Sequence, residues 1–291
     1  MGQKILSTLF ALLAGYFSGY AIAKDGMTKD TITWYTRDWP PAYIAQGPFQ
    51  NQGTFDLLTQ MLSRELPQFQ HQLQMTSLSA REQKMQQDRP YCFFGALKTP
   101  EREQYLYYSD VAFLTHSVKL FMLAQHPLNA FLPQNGPINL VELLQQPHFI
   151  GISEKKRTYP AAINELIQNN RLRLVDVTEG STNILQMLGQ QRADYVIEYQ
   201  DRIEYLRQQS KQAFDLIQRN IQGETALEPV YVACRKTPDA LAKITAINQA
   251  LATLRPRADY QAAMLRWSSA ATKPQLQQQI SQHPAFQTKT P

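Results

Sequence analysis

The feature that most limits how this chain can fold is an alternation, made twice, of short apolar runs with helical stripes. Ile32-Thr-Trp-Tyr-Thr-Arg37 is β-branched and aromatic and reads as a strand. From Phe55 to Glu65, residues Phe55, Leu58, Met61 and Leu62 fall on one helical face, and Pro67 ends the helix. Gln70 to Met75 is a weak second strand, Ser79 caps a polar helix running to about Gln87, and Pro90-Tyr-Cys-Phe-Phe-Gly95 has the short apolar form of a buried parallel strand. The pattern returns in Phe149–Ser153, a helix from Tyr159 to Gln168, Arg173–Val177, a helix from Ser181 to Gln190, and Asp194–Glu198. Two β-α-β-α-β runs predict an α/β protein of two lobes, each a mostly parallel sheet flanked by helices. A chain of 291 residues, 43% hydrophobic, can supply two modest cores.

The compartment is written at the N-terminus. Lys4 is the only charge before Lys24, an apolar run covers Ile5 to Gly15, and Ala21-Ile-Ala23 places small residues at both cleavage-specifying positions. Residues 1–23 therefore read as a signal peptide cut after Ala23, and the mature protein as periplasmic. No later stretch is apolar enough to span a bilayer. The formal charge is +5 with 18% charged residues, and the basic ones are scattered, so no stripe of the kind nucleic acid needs is present. The five histidines lack metal-ligand spacing, and there is no Gly-x-Ser-x-Gly elbow, P-loop or dinucleotide glycine run. No cofactor or metal is expected, and a binding function is expected ahead of an enzyme.

Arg102 follows the strand ending at Gly95, and ligands of open α/β sheets bind at the carboxyl ends of strands, where a guanidinium fork fits a carboxylate. Its setting is Leu97-Lys-Thr-Pro-Glu-Arg102, with Tyr108-Ser-Asp110 a few residues on. This phrase resembles the ligand signature of the family 3 extracellular solute-binding proteins, the polar amino-acid binders of uptake systems. The likeness extends in order from about residue 30 to 268: Val118–Ala124 would lead across a hinge and Val230–Lys236 would return. After Pro238 come a helix from Ala240 to Arg255 and a terminal segment containing Tyr260 and Met264–Trp267. The resemblance implies a type II periplasmic-binding-protein fold, with residues 24–122 and 236–291 forming one lobe and 123–235 the other.

Carried over by position, the resemblance makes Arg102 the carboxylate holder and Thr99 a hydroxyl donor beside it, while Lys98 stands where a small or apolar residue is usual. It also makes Trp39 and Tyr43, in the proline-stiffened loop after the first strand, walls of the ligand site. In the second lobe, Arg157 and Thr158 of the Lys155-Lys-Arg-Thr158 loop, and Ser181 and Thr182, precede helices whose free N–H groups attract anions. Ser181 serves equally well as a simple N-cap. The family's ammonium-binding acid falls at Tyr199 here, with Glu198 one residue earlier, and one residue on a strand reverses the face. A standard α-amino-acid ligand is thus in question, and the basic loop points to an anion.

The implied function is capture of a small carboxylate-bearing solute by hinge closure, for an ABC-type permease, by a monomer. The alternatives are a sensing module for a membrane receptor, or a dehydratase-like enzyme using Glu101 or Glu198. Cys92 and Cys234, the only two cysteines of an exported chain, are expected to form a disulfide, and one that joins the two lobes at their pivot.

Overall fold

The computed structural model describes residues 29–287 except 78, 81–82, 84–88, 144–147, 170–171, 179 and 181. The expected signal peptide, most of the polar helix expected after Ser79, and Ser181 itself lie outside the described residues. The first sheet has the order β2-β1-β3-β10-β4, built from β1 (Thr31–Thr36), β2 (Gln70–Met75), β3 (Cys92–Ala96), β4 (Leu106–His116) and β10 (Leu227–Arg235). The second has the order β7-β6-β8-β5-β9, from β5 (Lys119–Leu123), β6 (Gly151–Glu154), β7 (Leu174–Val177), β8 (Tyr195–Glu198) and β9 (Leu216–Arg219). Both sheets are mixed. β1 lies parallel to β2 and β3, whereas β10 runs antiparallel to β3 and β4. Likewise β6 lies parallel to β7 and β8, and β5 runs antiparallel to β8 and β9. The expected parallel character holds for the βαβ halves; the crossing strands supply the antiparallel halves.

The helices cover the sheets: α1 (Thr54–Glu65), α2 (Pro100–Glu103), α7 (Ala240–Leu254), α8 (Ala258–Met264) and α9 (Lys273–Gln282) on the first lobe, and α3 (Leu140–Leu143), α4 (Ala161–Gln168), α5 (Ile184–Gly189) and α6 (Gln200–Gln209) on the second. In α1, Phe55, Leu58 and Leu62 pack with Ile244, Ile247 and Leu251 of α7 in one core. The second lobe has a core on each face of its sheet, one around Leu120, Met122 and Ile197, the other around Ile152, Val196 and Leu188.

Sheet membership moves both lobe boundaries from those expected. β5 pairs with β8 and β9, and β10 with β3 and β4, so the chain crosses at residues 117–118 and again at 220–226. A strand's apolar pattern announces the strand but not its partner, so residues 119–122, expected in the first lobe, pair in the second sheet, and 227–235, expected in the second lobe, pair in the first. Ser117 Oγ donates to Glu224 Oε2 at 2.8 Å and ties the two crossings together.

The disulfide between Cys92 and Cys234 is present, with Cα atoms 4.0 Å apart. It does not join the lobes. Cys92 and Cys234 face each other across neighbouring strands β3 and β10 of the first sheet. The loop it closes spans a separation of 142 residues and contains the whole second lobe. Replacing both cysteines by alanine is expected to lower stability by at most about 4 to 5 kcal/mol on the chain-entropy account. Urea unfolding of the two proteins measures the difference.

Candidate ligand-binding cleft

The cleft between the lobes is built from strand ends. β6 and β8 are adjacent and parallel, and each ends in a carboxylate, Glu154 and Glu198. Both are buried, at 3% and 0% exposure, and two such charges side by side need cations. Two arginines supply them. Arg157, from the turn after β6, donates to both Glu198 oxygens at 2.6 and 2.7 Å. Arg202, on the first turn of α6, donates to Glu154 Oε1 at 2.6 Å and sits 3.1 Å from Glu198 Oε2 through Nε. Burial alone would raise the Glu154 pKa, but Arg202, Arg157, Arg37 and the Trp39 indole together hold it below the usual carboxylate range.

The first lobe reaches into this cluster. Trp39 stands at the mouth of a tight turn in which the Ala42 and Tyr43 N–H groups both donate to its carbonyl, at 3.0 and 3.1 Å. Its indole N–H donates to Glu154 Oε2 at 2.8 Å, across the cleft. Arg202 Nη1 returns a bond to the Pro40 carbonyl at 3.0 Å. Farther along, Tyr199 O–H donates to Glu228 of β10 at 2.9 Å, and Ser268 Oγ to Asp201 at 3.1 Å. Trp267 packs edge-on against Tyr205 of α6.

The space bounded by these groups is small, about 90 Å³. Its walls bring together Arg37, Arg102, Arg157 and Arg202 with Thr54, Thr115, Thr158, Tyr199 and Asp201, and with an apolar side that includes Trp39, Phe55, Phe113 and Val230. Arg102 lies on α2, where Thr99 Oγ1 caps the helix by accepting from the Arg102 N–H at 3.3 Å. Such a mixture of apolar wall and convergent donors is what small-molecule sites present.

Solved structures with this architecture exist. A putative L-cystine ABC transporter protein from Listeria monocytogenes superposes with a TM-score of 0.62 at 19% identity, covering 83% of this chain and 97% of that one. A histidine kinase sensor domain with similarity to periplasmic binding proteins gives 0.64 at 15% identity, over 83% and 96%. The GluR0 ligand-binding core from Nostoc punctiforme, in complex with L-glutamate, gives 0.59 at 14%, over 81% and 99%. The chain has the two-lobed type II periplasmic-binding-protein fold. No protein-family model matches the sequence, and no curated protein matches it.

Within this binding-protein fold, the expected site residues separate into three groups. Arg102, Trp39, Arg157 and Thr158 all line the cleft. Thr99 lies behind Arg102 as its cap, and Glu198 lies beneath the surface, its oxygens taken by Arg157, Arg202 and the Tyr199 N–H at 2.7 Å. Tyr43, Lys98 and Thr182 are elsewhere. The turn that aims Trp39 outward sends Tyr43 into the core, its O–H donating to the Phe94 carbonyl at 3.3 Å. Lys98 is exposed and pairs with Glu103 at 3.0 Å. Thr182 is exposed beside a separate groove that includes Gln46 and Gln212. Arg37, Glu154 and Arg202 went unread in the sequence; the one available signal was the four-residue spacing from Glu198 to Arg202, which suits a pair at a helix start.

Two features of the cleft make testable statements. Gly180 has φ +70°, and a Cβ there would lie 2.4 Å from the Asp38 carbonyl oxygen on the other lobe. Gly180→Ala is expected to leave the circular dichroism spectrum unchanged and to hold the lobes apart, seen as a larger radius of gyration by small-angle scattering. Glu228 is the second: burial, with Glu224 adding, pushes its carboxyl from the usual 4.5 up to about 7. A raised folded pKa means the folded protein binds the extra proton, so this contribution is complete below pH 4.5 and is lost as pH rises through about 7. Asp201 and Asp56, both raised to about 6 chiefly by burial, act in the same direction, and Glu154 in the opposite one. Glu228→Gln is therefore expected to flatten, not abolish, the fall in melting temperature over that interval.

Proposed function

We propose that the protein is an exported, periplasmic solute-binding protein that closes its two lobes on a small carboxylate-bearing solute and presents it to an ABC-type permease. One observation carries the reading: guanidinium groups from both lobes, Arg37 and Arg102 from the first and Arg157 and Arg202 from the second, converge on one cleft with an apolar wall. A cleft of that charge attracts anions, and donors on both lobes let a bound anion favour the closed arrangement over an open one. Arg102 holds the carboxylate in this reading, with Thr158 as a hydroxyl donor and Trp39 as a wall. The likeness to a transporter-associated protein supports delivery to a permease, and export rests on the segment 1–23. Sensing for a membrane receptor has the kinase sensor domain on its side. The binding step is the same in both, and loss of solute uptake in cells lacking the protein favours transport. No catalytic step is assigned: the carboxylates of the cleft are held by arginines and hydroxyls, and among the described residues no group of His, Cys, Asp and Glu is placed to hold a metal.

The solute can be identified by mass spectrometry of what copurifies with the protein. Arg102→Ala is expected to reduce its affinity at least 100-fold in calorimetric titration, about 3 kcal/mol or more, while circular dichroism stays that of the parent. Unchanged affinity in the folded variant would remove Arg102 from the site.

A further inference from the structure

Arg157 sits in surroundings that would themselves recognise a cation. Its Cζ lies 5.2 Å from the ring centre of Trp39, 4.6 Å from Tyr159 and 5.4 Å from Tyr199. Both of its terminal nitrogens are bonded to Glu198, and its side chain is only 5% exposed. Three aromatic faces around a carboxylate are the chemistry that holds ammonium and guanidinium groups. Here the occupant comes from the chain. Lys156, with φ 65°, turns the backbone so that the loop after β6 delivers Arg157 inward.

The other buried acid is committed in the same way, since Glu154 accepts from Trp39 and Arg202. The acids that remain beside the wall are Asp201, which accepts from Ser268, and Glu228, which accepts from Tyr199 on the far side of that ring. A ligand ammonium entering this cleft would meet guanidinium charge where it needs a carboxylate, and like charges in a site of low dielectric repel strongly. A hydroxyl or carbonyl in the same position would instead accept hydrogen bonds from the arginines.

We infer that Arg157 occupies the cation subsite of this cleft, so that the protein takes carboxylates lacking an ammonium group and rejects α-amino acids of the same shape. This rests on the solute-binding reading above and narrows it to a ligand class. Arg157 is on this account a specificity-determining residue, and its replacement should vacate the aromatic cage and leave Glu198 able to receive an ammonium.

The experiment titrates the wild-type protein and Arg157→Met calorimetrically with shape-matched pairs: lactate and L-alanine, malate and L-aspartate, 2-hydroxyglutarate and L-glutamate. For the pair that binds best, the wild type is expected to prefer the hydroxy acid at least 10-fold, and Arg157→Met to move that ratio at least 10-fold toward the amino acid. An amino acid bound as well as its hydroxy partner by the wild type overturns the inference and leaves the solute-binding reading standing. A ratio unchanged in folded Arg157→Met also overturns it. If the wild type binds no member of any pair, the inference falls, while the solute-binding reading is decided separately by the solute that copurifies. The wild-type comparison needs no variant, so it decides the matter even if Arg157→Met does not fold.

Discussion

Two carboxylates at the ends of neighbouring parallel strands are the constraint on which the cleft depends. Glu154 and Glu198 are almost without solvent, and each would be costly there alone. Arg202 bonds Glu154 and touches Glu198, while Arg157 closes a two-pronged contact on Glu198. Removing one member of such a group strands a buried charge, at about 3 to 5 kcal/mol. Because Arg202 also reaches the Pro40 carbonyl and Glu154 also accepts from Trp39, two of the four charges that settle the second lobe also hold the first lobe against it. Neutralising the strand ends and joining the lobes are one arrangement.

That double duty shapes the candidate site. The second lobe presents guanidinium groups braced from behind by carboxylates, and braced donors lose little freedom when a ligand arrives. The first lobe adds Arg102 on a four-residue helix whose cap is Thr99, so the sequence Lys98-Thr-Pro-Glu-Arg102 places one useful side chain and spends its neighbours on holding it. Proline at the first helical position and threonine before it favour that turn without any ligand. Trp39 serves both lobes: its ring lies 4.8 Å from the Arg202 guanidinium while its N–H bonds Glu154.

The alternating pattern made the βαβ halves legible because apolar periodicity is a local signal; strands β1, β3, β6 and β8 and helices α1 and α7 fall where it put them. Among the elements that escaped it, three did so for separate reasons. β4 runs through Tyr107-Tyr-Ser-Asp110, which the sequence offered only as part of a ligand signature and not as a strand. α6 is polar on average, yet buries Ile203, Tyr205 and Leu206. α9 hides Leu276 and Ile280 in a glutamine-rich stretch that reads as a tail. At the cleft, Arg102 was legible through its motif, but the role of Glu198 was not. The motif expects an acid to face the ligand; here the partner that silences it, Arg157, lies 41 residues away, and pairing at that distance leaves no local trace.

The disulfide shows how the same limit bears on motion. Two cysteines in a chain expected to be exported are enough to expect a bond, but which strands would be neighbours is a matter of topology. A bridge across the pivot would have restrained rotation between the lobes. Placed between β3 and β10, it lies inside one sheet and leaves residues 117–118 and 220–226, where the chain crosses between sheets, outside the bridged strands. Those segments are joined to each other by the Ser117–Glu224 bond, and Ile221 is bridged to Ile138 of the second lobe. The covalent constraint therefore secures the frame from which the second lobe is hung, while the approach of the lobes is left to hydrogen bonds such as Trp39 to Glu154 and Arg202 to Pro40, contacts that a ligand with differential affinity for the closed form could tip.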